Sequence, residues 1–130
     1  MQGFDNDCAL DWLVDLQAAD DWSVVERALR DAAECDPAAC LDYERGQSAF
    51  AAATVVVAAD NPSTITIPDE VVAWIIGHRH APSEIRALAR AALRRVVAGN
   101  SEVETLWLEA DQSDQVEWRA NIDRLVTLLG

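Results

Sequence analysis

From Ala49 to Ala59 the chain is apolar at every position except Thr54. That run constrains the fold more than any other stretch. Its alanines and its setting favour a helix over a strand, although Ala53 to Val57 alone would suit either. A helix apolar nearly all round has no face to give to water, so the rest of the chain must be arranged around it. At eleven residues the run is too short to span a bilayer.

Helical periodicity continues on both sides. A first helix is expected to about Ala19, with Asp5 or Asn6 as its cap and Ala9, Trp12, Leu13 and Leu16 on its inner face. Ser23-Val24-Val25-Glu26 reads as a capping box opening a second helix to about Cys35, broken by Asp36-Pro37. Asp42 is a cap for the third, interrupted or delayed by Gly46. Thr64 to Ile67 alternates, but is too short to build a sheet alone. Pro68 and Gly77 bracket a short helix from Asp69 to Ile76. Ser83 is expected to cap a fifth helix whose stripe is Ile85, Leu88, Ala89, Ala92, Leu93 and Val96, stopped by Gly99. Asn100 or Ser101 caps a sixth, to about Ala110, and Ser113 or Asp114 opens the last. With 130 residues, no linker and no repeat, the expectation is a single all-α domain over 1–130. It should be a compact, irregular or orthogonal bundle of six to seven short helices. Trp12, Trp22, Trp74, Trp107 and Trp118 are spread along the chain as anchors between elements.

Charge is the second constraint. The first 44 residues hold twelve carboxylates and only two arginines, in a chain of net charge −13 with no lysine. Leu10, Trp12, Leu13, Leu16, Val24, Val25 and Leu29 run through this stretch, so it is a folded surface rather than an acidic tail. Such a field repels nucleic acid and anionic membranes and favours a basic protein partner. Asp7, Asp11 and Asp15 fall at i, i+4 and i+8 on one helical stripe; Asp20, Asp21, Asp31, Glu34 and Asp36 complete the candidate acidic surface. Arg86, Arg90 and Arg94 repeat the same pitch with the opposite sign. The first and fifth helices are therefore expected to pack with these stripes facing.

Chemistry-bearing motifs are few. Cys8, Cys35 and Cys40 are odd in number and no signal peptide precedes them, which points to a reducing, cytoplasmic setting. His78-x-His80 and Cys35-x4-Cys40 lack the spacing that would demand a metal, and no calcium loop, phosphate loop, nucleophile elbow or zincin motif is present. A cysteine–histidine pair is open to any such chain. No catalytic residue, metal or cofactor is therefore assigned, and an enzyme is the less favoured class.

Two stretches carry a resemblance. Gly3-Phe4-Asp5-Asn6-Asp7-x-Ala9-x-Asp11-Trp12-Leu13 is one; Asn100-Ser101-Glu102-x-x-x-Leu106-Trp107, followed by Trp118 and a leucine-rich end, is the other. With the Ala51–Ala59 and Pro68–Ile76 segments, they resemble a family of small, mostly bacterial proteins catalogued as domain of unknown function 4259. Members usually begin with a tryptophan-glycine element that this chain lacks. The resemblance implies a helical domain and no activity. Phe4, Asp5, Asn6, Trp12, Asn100, Ser101, Trp107 and Trp118 read as architecture: caps, a staple and inner-face aromatics. The favoured function is a non-enzymatic interaction module, immunity- or antitoxin-like by analogy of size and charge. The alternative is a small-ligand binder or enzyme with a pocket where the first and sixth helix starts converge.

Overall fold

A computed structural model describes residues 7–36, 38–60, 67–78, 81–98 and 100–129, with side chains from residue 11 onward. Seven helices occupy them: α1 (Asp7–Gln17), α2 (Ser23–Ala33), α3 (Tyr43–Asp60), α4 (Asp69–Ile76), α5 (Ser83–Val96), α6 (Glu102–Leu108) and α7 (Gln112–Leu129). No strand occurs among the described residues; Leu41 and Ser101 form one isolated parallel bridge. The expected caps at Asp5 and Asn6, Gly99, and all of the Thr64–Ile67 stretch but Ile67 lie outside the described residues; Ile67 is partly buried against the core.

The apolar run forms the buried axis. Every α3 side chain from Ala49 to Ala59 is buried. Thr54, the one polar member, donates its hydroxyl to the Phe50 carbonyl at 2.9 Å, so burial leaves no orphan donor there. Around α3, the helices α2 and α5 pack on it and on each other as the most extensive contacts of the bundle. The helices α1 and α4 pair on α3, and α6 and α7 pair on α3, with α7 also reaching α5. The result is an irregular all-α bundle.

Gly46 does not interrupt α3. It lies buried within the helix, and a Cβ there would come 2.5 Å from Cγ2 of Val103 on α6. Glycine serves here to let two helices approach. Asp42 caps α3 as expected: Oδ1 accepts from the Arg45 amide at 2.8 Å, while Oδ2 pairs with the Arg45 guanidinium at 2.9 Å.

Two serine caps are corrected. Ser23 is the first residue of α2, and its own amide donates to Asp21 Oδ1 at 3.0 Å, so Asp21 takes the capping work. Glu26 does not reach back to complete a box; it pairs with Arg30 one turn on. Ser83 likewise follows Pro82, which holds the N-cap position of α5 without a side-chain bond. Several ends shift by a residue or two: α1 ends at Gln17, α2 at Ala33 and α6 at Leu108, and α7 begins at Gln112.

The facing-stripe expectation is also overturned. The principal contacts of α5 are with α2, α3 and α7, while those of α1 are with α2, α3 and α4. Arg86 turns to the far end of α3, where it pairs with Asp60, and it reaches the Leu128 and Leu129 carbonyls of α7 at 3.4 Å each. Asp11, Asp15 and Arg94 are exposed. Matching pitch is a property of each helix alone; the apolar stripes, which bury far more area, decide which helices meet.

The fold also hides an arginine that the sequence reading did not single out. Arg95 is 7% exposed. Its guanidinium donates to the carbonyls of Cys35, Asp36, Ala39 and Asn100, at 3.4, 3.3, 2.6 and 3.3 Å. It thus ties the α2–α3 connection to the α5–α6 connection. A signal was available: Arg95 stands three residues after Ala92, on the continuation of the buried α5 stripe.

Candidate functional site: an acidic face over a cleft

The acidic residues separate by what each carboxylate does. Glu34 is spent within the fold, bonded to Arg30 at 3.2 Å together with Glu26. Asp36 Oδ1 accepts from the Ala38 amide at 2.9 Å and shapes the turn after α2. The Ser23 hydroxyl and amide hold the Asp21 carboxyl below its ordinary value. Asp11 and Asp15 on α1, Asp20 in the α1–α2 corner and Asp31 on α2 are exposed, and Asp31 lies near enough to Arg45 to favour the charged guanidinium. Asp7 lies on α1, but its side chain is outside the described set.

Asp15 and Asp31 do not merely share a surface. With Glu44 from the first turn of α3 they line one open cleft of about 530 Å³. Three helices supply its lining, which includes the apolar side chains of Trp12, Val24 and Ala28. Arg27 and Arg45 also border it, Arg45 being committed to Asp42. The cleft therefore sets apolar side chains beside three carboxylates and two guanidiniums, and its apolar and acidic groups together suit the apolar stem and charged head of an arginine or lysine.

A second concavity, about 500 Å³, lies between α6 and α7. Trp107 and Trp118 stack along it with ring centroids 6.0 Å apart and planes 14° from parallel. Val97, Leu108 and Val116 add apolar wall, and Glu104 and Arg119 stand among them. Burial raises the Glu104 carboxyl above its ordinary value, with Arg119 pulling it back.

The motif residues are placed as architecture where they can be seen. Trp12 and Trp118 are buried and Trp107 is half-buried. Ser101 caps α6, its hydroxyl accepting from the Glu104 amide at 3.4 Å. Asn100 holds the left-handed φ of 62° and offers its carbonyl to the Leu41 amide at 2.7 Å. Leu41 in turn accepts from the Glu102 amide at 2.9 Å. Phe4, Asp5 and Asn6 are outside the described residues. The main partners of α6 are α3 and α7, so no substantial contact gathers the α1 and α6 starts among the described residues.

Cys35 is half-buried and Cys40 exposed, both as free thiols; the Cys8 side chain and His80 are outside the described set. No group of three or more His, Cys, Asp or Glu comes together for a metal among the described residues. Among those residues no helix is long and apolar enough to cross a membrane.

A family model described as Domain of unknown function (DUF4259) matches residues 1–121. No curated protein and no solved structure matches the chain.

Proposed function

The chain belongs to the DUF4259 family, which carries no assigned activity, and we propose that this member is a single-domain, non-enzymatic module that docks a basic protein partner on its α1–α2 face. The observation that carries the reading is the convergence of Asp15, Asp31 and Glu44, from three different helices, on one cleft that Trp12 also lines. A partner arginine or lysine lying against Trp12 gains contact with the exposed carboxylates of Asp15 and Asp31. The exposed carboxylates of Asp11, Asp20, Asp21 and Asp36 add to the negative field that steers the approach, while Glu34 is partly neutralised by Arg30. An immunity- or antitoxin-like role, in which the module covers the basic surface of a toxin in the cytoplasm, is the concrete form of this reading. It rests on size and charge.

Affinity capture on the immobilised protein tests it. A partner of basic character should be retained at low salt and released as ionic strength rises. Asp15→Asn with Asp31→Asn should abolish retention, while Asp111→Asn with Asp114→Asn, on exposed positions around the start of α7, should leave it intact. Retention unaffected by the first pair would refute the reading.

A small apolar ligand is the second reading, favoured by the Trp107–Trp118 stack in the α6–α7 concavity. It is separated from the first by Leu108→Arg, which should block a ligand there and leave partner capture unchanged.

A further inference from the structure

The corner between α1 and α2 is held by an aromatic cluster from α4. Trp74 is buried and donates its indole N–H to the Ala19 carbonyl at 3.1 Å. Trp22 meets that indole edge-on, with centroids 5.0 Å apart and planes at 89°. On its other side the His78 ring lies flat against Trp74, at 4.0 Å and 7°. His78 directly follows Gly77, the residue that closes α4.

Both nitrogens of that ring point at carbonyl oxygens. Nδ1 is 2.8 Å from the Trp74 carbonyl, and Nε2 is 2.8 Å from the Asp20 carbonyl. A backbone carbonyl only accepts. Neutral imidazole carries one proton, so it can donate to one of these oxygens while it turns a lone pair on the other. Only the imidazolium donates to both. The flat contact with the electron-rich indole face favours that cation as well.

We propose that His78 is a proton-operated latch: doubly protonated, it fastens the end of α4 to the α1–α2 corner, and on losing one proton it releases one of the two carbonyls. The release point is the corner itself, because the Trp74 carbonyl belongs to the same helix end and stays near the ring. Among the described residues, the charged groups facing the ring are the Asp20 and Asp21 carboxylates of the corner. Both favour the cation, and burial opposes it. The Trp74 carbonyl bond is the largest contribution to a His78 pKa raised above the ordinary histidine value, the Asp20 carbonyl the next. The sign follows. With the folded value above the unfolded one, the latch contributes its full stability below the unfolded pKa of about 6.5 and loses it as pH rises through the folded value.

Ring-proton NMR of the intact protein across about pH 5 to 9 tests this, with His78→Phe used to assign the two histidine signals. The His78 midpoint should lie above that of a histidine in an unstructured peptide. Hydrogen exchange at the Trp74 indole N–H, corrected for its intrinsic pH dependence, should accelerate across the same midpoint, because that bond shares the corner. His78→Phe keeps the stacked ring and removes both donors. Its Tm deficit relative to the natural protein should be largest at low pH and shrink as His78 deprotonates. A midpoint at or below the peptide value, or a Tm deficit constant over the whole range, would overturn the latch.

Discussion

The guanidinium of Arg95 donates to the carbonyl of Ala39 at 2.6 Å, joining the end of α5 to the α2–α3 connection. Ala39 lies between α2 and α3, and Arg95 in the last turn of α5. Replacing Arg95 by Met keeps a comparable stem but leaves the Cys35, Asp36, Ala39 and Asn100 carbonyls without their shared donor. We expect a loss of about 2–4 kcal/mol by urea unfolding, since hydrogen bonds to charged groups and buried unsatisfied acceptors each weigh more than neutral surface bonds. Arg95→Lys should recover only part of it, because one ammonium cannot span four carbonyls fixed around a planar fork.

Gly46→Ala is expected to destabilise despite alanine's better helix propensity. The propensity gain is at most about 1 kcal/mol. The added Cβ, 2.5 Å from Val103 Cγ2, pushes α6 off α3, at an overpacking cost of about 1–3 kcal/mol. Val103→Ala in the same chain should relieve the clash, so a double-mutant cycle should give a favourable coupling between the two changes.

The two substitutions bear on how far the sequence could be read. The apolar run announced α3, and the Pro68–Gly77 bracket placed α4 to the residue, because both signals are local. Gly46 was visible as a glycine but not as a close approach, since Val103 lies far along the chain. Arg95 stood in a tandem with Arg94, and tandem arginines resemble a solvated end; the three-residue step from Ala92 was the only mark against that. Ser23 and Ser83 looked like caps because serine usually is one. The neighbours Asp21 and Pro82 outcompeted them, the first with a better-placed carboxylate and the second by fixing the entry angle of the chain. The acidic face was legible as charge. Its cleft was not, because Asp15, Asp31 and Glu44 converge only through the packing of α1, α2 and α3.

The arginines of α5 should separate sharply. Arg86 pairs with Asp60 and reaches the last carbonyls of α7, whereas Arg94 is exposed. Arg86→Ala should cost about 1–3 kcal/mol, and Arg94→Ala should fall within about 0.5 kcal/mol of the natural protein. Thermal unfolding of the two variants is sufficient to distinguish them.

Glu104 provides a pH signature of its own. Its carboxyl is raised by burial against the α6–α7 concavity, so the ionised form costs stability in the folded state. Glu104→Gln should therefore raise Tm at neutral pH. That gain should vanish on acidification, as the natural carboxyl takes up its proton and ceases to differ from the amide. A variant that is less stable than the natural protein at neutral pH would show that the Arg119 attraction outweighs burial.

Whether the α1–α3 cleft receives a basic side chain is read by an NMR titration of the isotope-labelled protein with a short arginine-rich peptide. The expected result is a saturable shift of backbone amides around Asp15, Asp31 and Glu44 and of the Trp12 indole, lost in Asp15→Asn with Asp31→Asn and weakened by salt. Shifts spread evenly over exposed carboxylates throughout the chain, those at Glu109, Asp111 and Asp123 included, would contradict a docking cleft and leave only a diffuse negative field.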